Sequence, residues 1–272
     1  NRTVQCNFDR GRMFTVDTVD DAETAGLAFG RLAAEFIRTK VVPELDAFRF
    51  ACYAGKAGIS SAEGTLSSGA DVIAAISAAV TEMDENEVPS DQRHLRITST
   101  LLRAIKDMDS YKSREVLESF ASVKAVPQRR FYTAIEQLSG RDGEKAGGFQ
   151  KYGKHYVKCA KDDTGALEVI ADSGTVSGSQ IKAADVTPVA DPAYTPTAGD
   201  YVKAVAGAEI NFMILHTPAL IQFQKHVAPK IISPEQNQHA DAWKYGYRNV
   251  GIADVYANKL SGVFCHHKAA GV

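Results

Sequence analysis

Apolar and polar residues alternate with a period of two at the start of the chain. Val4, Cys6 and Phe8 are set against Thr3, Gln5, Asn7 and Asp9, and Phe14 and Val16 resume the pattern after Asp9-Arg10-Gly11-Arg12. This predicts a charged strand, part of an extended hairpin whose first strand lies before Asn1. Isolated hairpins are marginal in water, so such a strand is expected to lie on another surface. The period then changes. Asp20, Asp21 and Glu23 supply a helix start. Phe29, Leu32, Phe36 and Ile37 follow at helical spacing, with Arg31, Glu35 and Arg38 on the other side. Pro43 is expected to kink this helix, because it lacks the N–H of an i→i−4 bond. The pattern resumes at Leu45, Phe48 and Cys52, so Asp21 to Lys56 predicts a helix about 54 Å long, longer than a compact domain requires.

Gly58 to Gly69 reads as a Gly/Ser-rich connection. Asp71 to Met83 is an Ala-rich helix with Val72, Ile73, Ile76, Ala79, Val80 and Met83 on one face, stopped by Val88-Pro89. His94 to Thr98 reads as a short strand, Ser99 as the cap of a third helix, Ser113 to Phe120 as a short helix, and Ala121 to Thr133 as a strand. From Gly140 to Gly207, Gly, Asp, Ser, Thr and Pro dominate, which predicts a β-rich insertion with short strands at Tyr156 to Cys159 and Leu167 to Ile170. The last segment, Glu209 to His267, has apolar runs of strand length at 210–215, 219–223 and 255–264. Turn signals stand at Thr217-Pro218, Ser233-Pro234 and Asn249 to Gly251.

Composition narrows the class. A chain of 272 residues with 44% hydrophobic and 24% charged residues supports an ordered core. A net charge of −2 makes no electrostatic case for nucleic-acid or membrane binding as the main task. Cys6, Cys52, Cys159 and Cys265 have no paired spacing and read as free thiols of a reducing compartment. No apolar run approaches the roughly 20 residues of a membrane span, and no signal-peptide pattern stands out.

Candidate chemistry is sparse. Cys265-His266-His267 are consecutive, and on a strand neighbours point to opposite faces, so the three cannot share one ion. His216, His226 and His239 lack the close spacing of a metal pair. Gly174 to Gly178 has the order G-x-x-S-G, not that of a nucleophile elbow. No phosphate-cradling glycine motif is present. Glu82, Asp84, Glu85 and Glu87 cluster where a helix dipole disfavours them and read as a solvated face. The interface candidates are Asp9, Arg10, Arg12 and Asp17, alternating in sign on the first strand, Arg38 on the polar side of the long helix, and Trp243 in NQHADAWKYGY. That Trp fits a core position or an interface anchor equally. No cofactor and no metal is expected.

The order of blocks carries a resemblance. FDRGRMFTVDTVDDAETAGLAFGRLAAEFIRTKVVPELDAFRF is followed by DVIAAISAAVTEMDENEVPSDQRHLRITSTLLRAIKD. VPQRRFYTAI comes next, and then INFMILHTPALIQFQKHVAPKIISPEQNQHADAWKYGYRNVGIADVYANK. Together they cover about two-thirds of the chain. The chain is similar to the tailed-bacteriophage major capsid proteins of the Hong Kong 97-type fold, within the group carrying DRGR…RTKVVPE…DAW.

The resemblance implies an α+β fold with an extended loop, a spine helix, and peripheral and axial domains. It divides the chain into 1–20 (loop strand, N-terminal arm missing), 21–68 (peripheral domain), 69–207 (axial domain with the 140–207 insertion) and 208–272 (strands shared by both domains). It implies a non-enzymatic subunit that self-assembles through pentamers and hexamers into an icosahedral shell around double-stranded DNA. Scaffolding, portal and decoration proteins are the implied partners, without a membrane, with assembly in the host cytoplasm and residence in the virion. Two alternatives stand beside it. One is an encapsulin-like cellular compartment. The other is a metal-dependent hydrolase built on His216, His226 or His239 with the acidic cluster.

Overall fold

The computed structural model describes residues 5–19, 27–108, 110–139, 148–185 and 197–269. β1 (Phe8–Asp17) leads to a helix in three pieces. These are α1 (Leu27–Phe36), a π turn (Ile37–Val41) and α2 (Val42–Ala54). Then follow β2 (Ser60–Glu63), α3 (Gly69–Glu85), β3 (Arg93–Thr98), α4 (Ser99–Asp107), α5 (Tyr111–Glu118) and β4 (Ser122–Val126). A run of short strands comes next: β5 (Ile135–Leu138), β6 (Gly148–Lys151), β7 (His155–Lys158), β8 (Leu167–Ile170), β9 (Gln180–Lys182) and β10 (Tyr201–Val205). The chain closes with β11 (Ile210–His216), β12 (Leu220–Ile232), β13 (Ala242–Val255) and β14 (Val263–His267).

The centre is a mixed five-stranded sheet in the order β2-β14-β11-β3-β4. One face carries a core of Val72, Ile76 and Met83 from α3, Leu95 and Ile97 from β3, Ile105 from α4, and Phe212, Ile214 and Phe264. The other carries Tyr53, Phe131, Ile210, Met213, Leu215, Val263 and Cys265, closed by Ala253 and Val255 of β13. β11 is buried along its whole length because it serves both cores by alternation. A register shift between Ile210 and Phe212 turns Ile210 to the same side as Met213 and Leu215. The Asn211 amide in that bulge donates to the Gly64 carbonyl at 2.9 Å and faces His266 Nδ1 at 3.0 Å.

A second sheet, β1-β13-β12, forms a separate layer. β1 pairs antiparallel with β13 from Phe8↔Gly251 to Asp17↔Ala242. β1 is thus an edge strand of this sheet, paired on its described side with a distant C-terminal strand. The expected helix start at Asp20 to Glu23, the Phe29 side chain and Val4 lie outside the described residues.

Pro43 does not break the helix. The missing N–H is absorbed upstream, where Val42 N–H reaches back to the Ile37 carbonyl in a π turn, and the Thr39 hydroxyl donates to the Glu35 carbonyl at 2.7 Å. The α1–π–α2 rod is about 42 Å long at 1.5 Å per residue.

Several boundaries differ from expectation. The Gly/Ser-rich connection contains β2, a four-residue edge strand parallel to β14. Its ladder bonds are made by backbone, which an apolar pattern does not report. Thr98, not Ser99, holds the N-cap position of α4, without a side-chain bond. The short helix begins at Tyr111 because Ser110 and Ser113 form a capping box before it. The strand expected over 121–133 stops at Val126, before Pro127 and a 3₁₀ turn.

Asn249 to Gly251 is not a turn but the middle of β13. A Cβ at Gly251 would sit 2.9 Å from the Phe223 carbonyl oxygen, so this glycine permits close approach of two strands at the bulge between Gln224 and His226. The apolar run over 255–264 is two elements. Val255 ends β13, a turn intervenes, and β14 begins at Val263. Within 140–207, β7-β10-β8-β9 form a four-stranded sheet with its own small core of Val169, Ile181 and Val202.

Candidate functional site

Two of the charged residues of β1, Asp9 and Arg10, are paired within the subunit. Even-numbered β1 residues share a face with odd-numbered β13 residues, and this face meets the helical rod. There Phe8 packs on Phe48 at 4.9 Å between ring centroids, and Phe14 meets Phe36 edge-on at 4.5 Å. Arg10 sits between them. Its Nε lies 2.6 Å from Glu44, and it donates to the Leu138 carbonyl at 2.5 Å. Burial pushes the Glu44 carboxyl above its usual range, and Arg10 pulls it back in part.

On the opposite face Asp9 receives both a 2.9 Å and a 2.6 Å bond from Arg248. Asp17 accepts the Val19 N–H at 2.9 Å, and the exposed Arg38 pairs with Glu35 at 2.6 Å one helical turn away. Arg12 remains at the surface, its guanidinium 5.5 Å from the Phe14 ring centroid. Trp243 is half-buried opposite Val16. These six residues thus fall into two groups. Asp9, Arg10, Arg12, Asp17 and Trp243 lie on the β1–β13 layer, and Arg38 lies on the rod beside it.

The more informative surface was not singled out from the sequence. Across the second sheet, Phe14, Tyr245 and Ile231 form one row, and Arg10, Asn249 and Val227 another. Tyr245 and Asn249 are buried, whereas Ile231 is 57% and Val227 47% exposed. The rod covers β1 and β13 and meets β12 near Gln222, where Tyr53 lies 3.5 Å away, but leaves Val227 and Ile231 exposed. Leu32 and Val42 on the rod are also exposed. The spacing of Val227 and Ile231, four residues apart on a long strand, was the available signal.

The residues weighed for metal chemistry are dispersed. Among the described residues no group of three His, Cys, Asp or Glu side chains is placed to hold an ion. His216 is buried at the end of β11, where burial lowers its basicity. His239 is exposed in the turn before β13, and the His226 side chain lies outside the described residues. His266 stacks on Phe212 at 5.1 Å while Cys265 faces the other core.

The Cys52 and Cys265 thiols are pushed up to about 12 by burial, so neither is a thiolate at neutral pH. In the acidic cluster, Asp84 accepts at 2.7 Å from Arg93, which is 3% exposed and also bonds the Val88 and Pro89 carbonyls. That arrangement ties down the end of α3.

No protein-family model and no curated protein matches the chain. Solved structures do. A chain of the virus-like particle from Pyrococcus furiosus superposes with a TM-score of 0.52 at 8% identity, over 95% of this chain and 75% of that one. A chain from the structure of head fiber and inner core protein gp22 of native bacteriophage P68 gives 0.50 at 10% identity, over 97% and 71%.

The chain shares an α+β fold with these virus-like-particle and bacteriophage chains. This is the fold that the order of sequence blocks implied. Among the described residues no helix is long and apolar enough to cross a membrane.

Proposed function

We propose that this chain is a major capsid protein that self-assembles into the icosahedral shell of a tailed phage enclosing double-stranded DNA. The observation that carries the reading is a fold shared over nearly the whole chain with a virus-like-particle chain and a bacteriophage chain. The uncovered apolar residues support it. Val227 and Ile231 on β12 and Leu32 and Val42 on the rod are exposed, and apolar side chains of this kind gain stability when a neighbouring subunit removes them from water. Modest contacts suffice, because each subunit of a closed lattice makes several at once.

The subunit is then structural and not enzymatic, a component of the virion assembled in the host cytoplasm. Its DNA contact is confinement without sequence reading, and scaffolding, portal and decoration proteins are its proposed partners. Residues 21–68 and 69–207 serve as peripheral and axial domains and 1–20 as part of the extended loop. The 208–272 segment ties them together, a role suited to β11 with a core on each face.

Electron microscopy of the expressed full-length protein tests the proposal. Closed shells are expected, and monomers alone at high concentration would defeat it. A cellular compartment is the second reading, favoured by the likeness to the Pyrococcus furiosus particle. Nuclease-protected genomic-length DNA inside native particles supports the phage; particles filled with protein and free of DNA support the compartment.

A further inference from the structure

A cavity of about 430 Å³ lies between the β1–β13 face and the π turn. Three observations distinguish it from slack packing. Asn249 lines it, is 1% exposed, and among the described residues has neither its amide nitrogen nor its oxygen in a hydrogen bond. Burial raises the pKa of the neighbouring Tyr247 phenol, and the adjacent Asn249 side chain offsets part of that rise. Buried amides are normally satisfied, so a doubly orphaned one points to a missing partner.

The walls are aromatic. Phe14 and Phe36 meet at 4.5 Å, and Phe36 and Tyr247 at 6.3 Å. At the exposed edge stand Arg12, close to the Phe14 ring, and Lys40, which belongs to the π turn. Arg10, the other cation of the lining, is already committed to Glu44. π turns inside α-helices collect at functional sites, and the volume falls within the range of small-molecule pockets.

We propose that this cavity binds a small amphipathic anion. Its planar apolar body lies among Phe14, Phe36 and Tyr247, a donor–acceptor edge pairs with the Asn249 amide, and its negative group meets Arg12 and Lys40. A cation is opposed by the two rim charges, and a wholly apolar guest leaves the amide unpaired. Occupancy fastens the rod to the second sheet at the π turn. The inference concerns the folded subunit and stands apart from the shell reading.

The test uses 8-anilinonaphthalene-1-sulfonate, which carries a planar body, an N–H and a sulfonate, with the purified full-length chain. Fluorescence titration is expected to saturate at one site per chain. Binding should weaken at least tenfold in Arg12→Ala/Lys40→Ala and a further tenfold in Asn249→Leu. Without probe, Asn249→Leu should melt at or above the parent, because an apolar side chain of similar size relieves the orphaned amide. Equal affinity in all three proteins, or no saturable binding to the parent, overturns the proposal. So does an Asn249→Leu protein that melts below the parent or fails to fold, since the amide then has a structural partner.

Discussion

Phe212 and Met213 are adjacent on β11 and belong to different cores, Phe212 facing α3 and α4, and Met213 facing α2 and β13. Both are completely buried. Truncation of either to Ala leaves a cavity in a close-packed interior, at about 3–5 kcal/mol for Phe212 and about 2–5 kcal/mol for Met213. Because both cores share one sheet, each variant is expected to lose stability in a single cooperative denaturant transition. Two separated transitions, with only one core affected per variant, would show that the layers unfold independently.

Arg10 and Glu44 hold the second sheet to the rod through a pair that is largely shielded on the carboxylate side, at 12% side-chain exposure. Removing the guanidinium leaves a carboxylate already pushed toward its neutral form by burial. Arg10→Ala is expected to cost about 3 kcal/mol, the lower end for a broken buried pair, because Glu44 can take up a proton. Arg10→Ala/Glu44→Gln should recover part of that loss in urea denaturation. A double variant no more stable than Arg10→Ala rules out the unpaired carboxylate as the cause.

The α3 end and the long rod were legible from residues 71–88 and 27–54 because burial there follows a helical period. The two-core role of β11 was not. A fully apolar strand such as INFMILH has no alternation to reveal which side chain faces where. β2 was missed because SSAE contributes backbone bonds at an edge, and β13 was cut at Asn249 to Gly251 because those residues carry turn chemistry. There the partner strands' register and a bulge overruled local preference. In the candidate surface, the charges of β1 attracted attention while the decisive feature was the extent of the helical cover, a tertiary property.

Glu87 occupies a left-handed conformation, φ 54°, at the end of α3. The Glu87 N–H bonds the Asp84 carbonyl at 2.9 Å and the Val88 N–H bonds Met83 at 3.0 Å, a Schellman closure that favours glycine. Glu87→Gly relieves the Cβ strain and removes an acidic group from the negative helix end, so it should stabilise by about 1 kcal/mol. A melting temperature at or below that of the parent refutes this account of the closure.

Trp243 lies on β13 opposite Val16 and is only half-buried in the subunit. Trp243→Ala is therefore expected to cost less stability than Phe212→Ala, roughly 1–2 kcal/mol, below the range for a fully buried ring. Its larger effect should be on the yield of closed shells in electron micrographs. A folded Trp243→Ala protein that forms shells as readily as the parent excludes this residue from the assembly surface.

His266 is held neutral by the fold. Burial lowers its pKa, with His267 adding to the effect, while it stacks on Phe212 and meets the Asn211 amide. In the unfolded chain it titrates near 6.5. Between that value and the lowered folded one, only the unfolded state binds the proton, so stability rises with pH across this window and is constant above it. His216 and His94 are shifted in the same direction by burial. Asp71, lowered by its capping bonds, acts below the ordinary carboxylate range and leaves this window untouched. Glu44, raised by burial, contributes with the opposite sign above its ordinary value. The melting temperature is expected to hold steady between about pH 7 and pH 8 and to fall as the solution is acidified through about pH 6. His266→Gln should lower stability at pH 8 by about 1 kcal/mol through loss of the ring stack. It should also flatten the acid-side slope, and an unchanged slope would mean that other groups govern it.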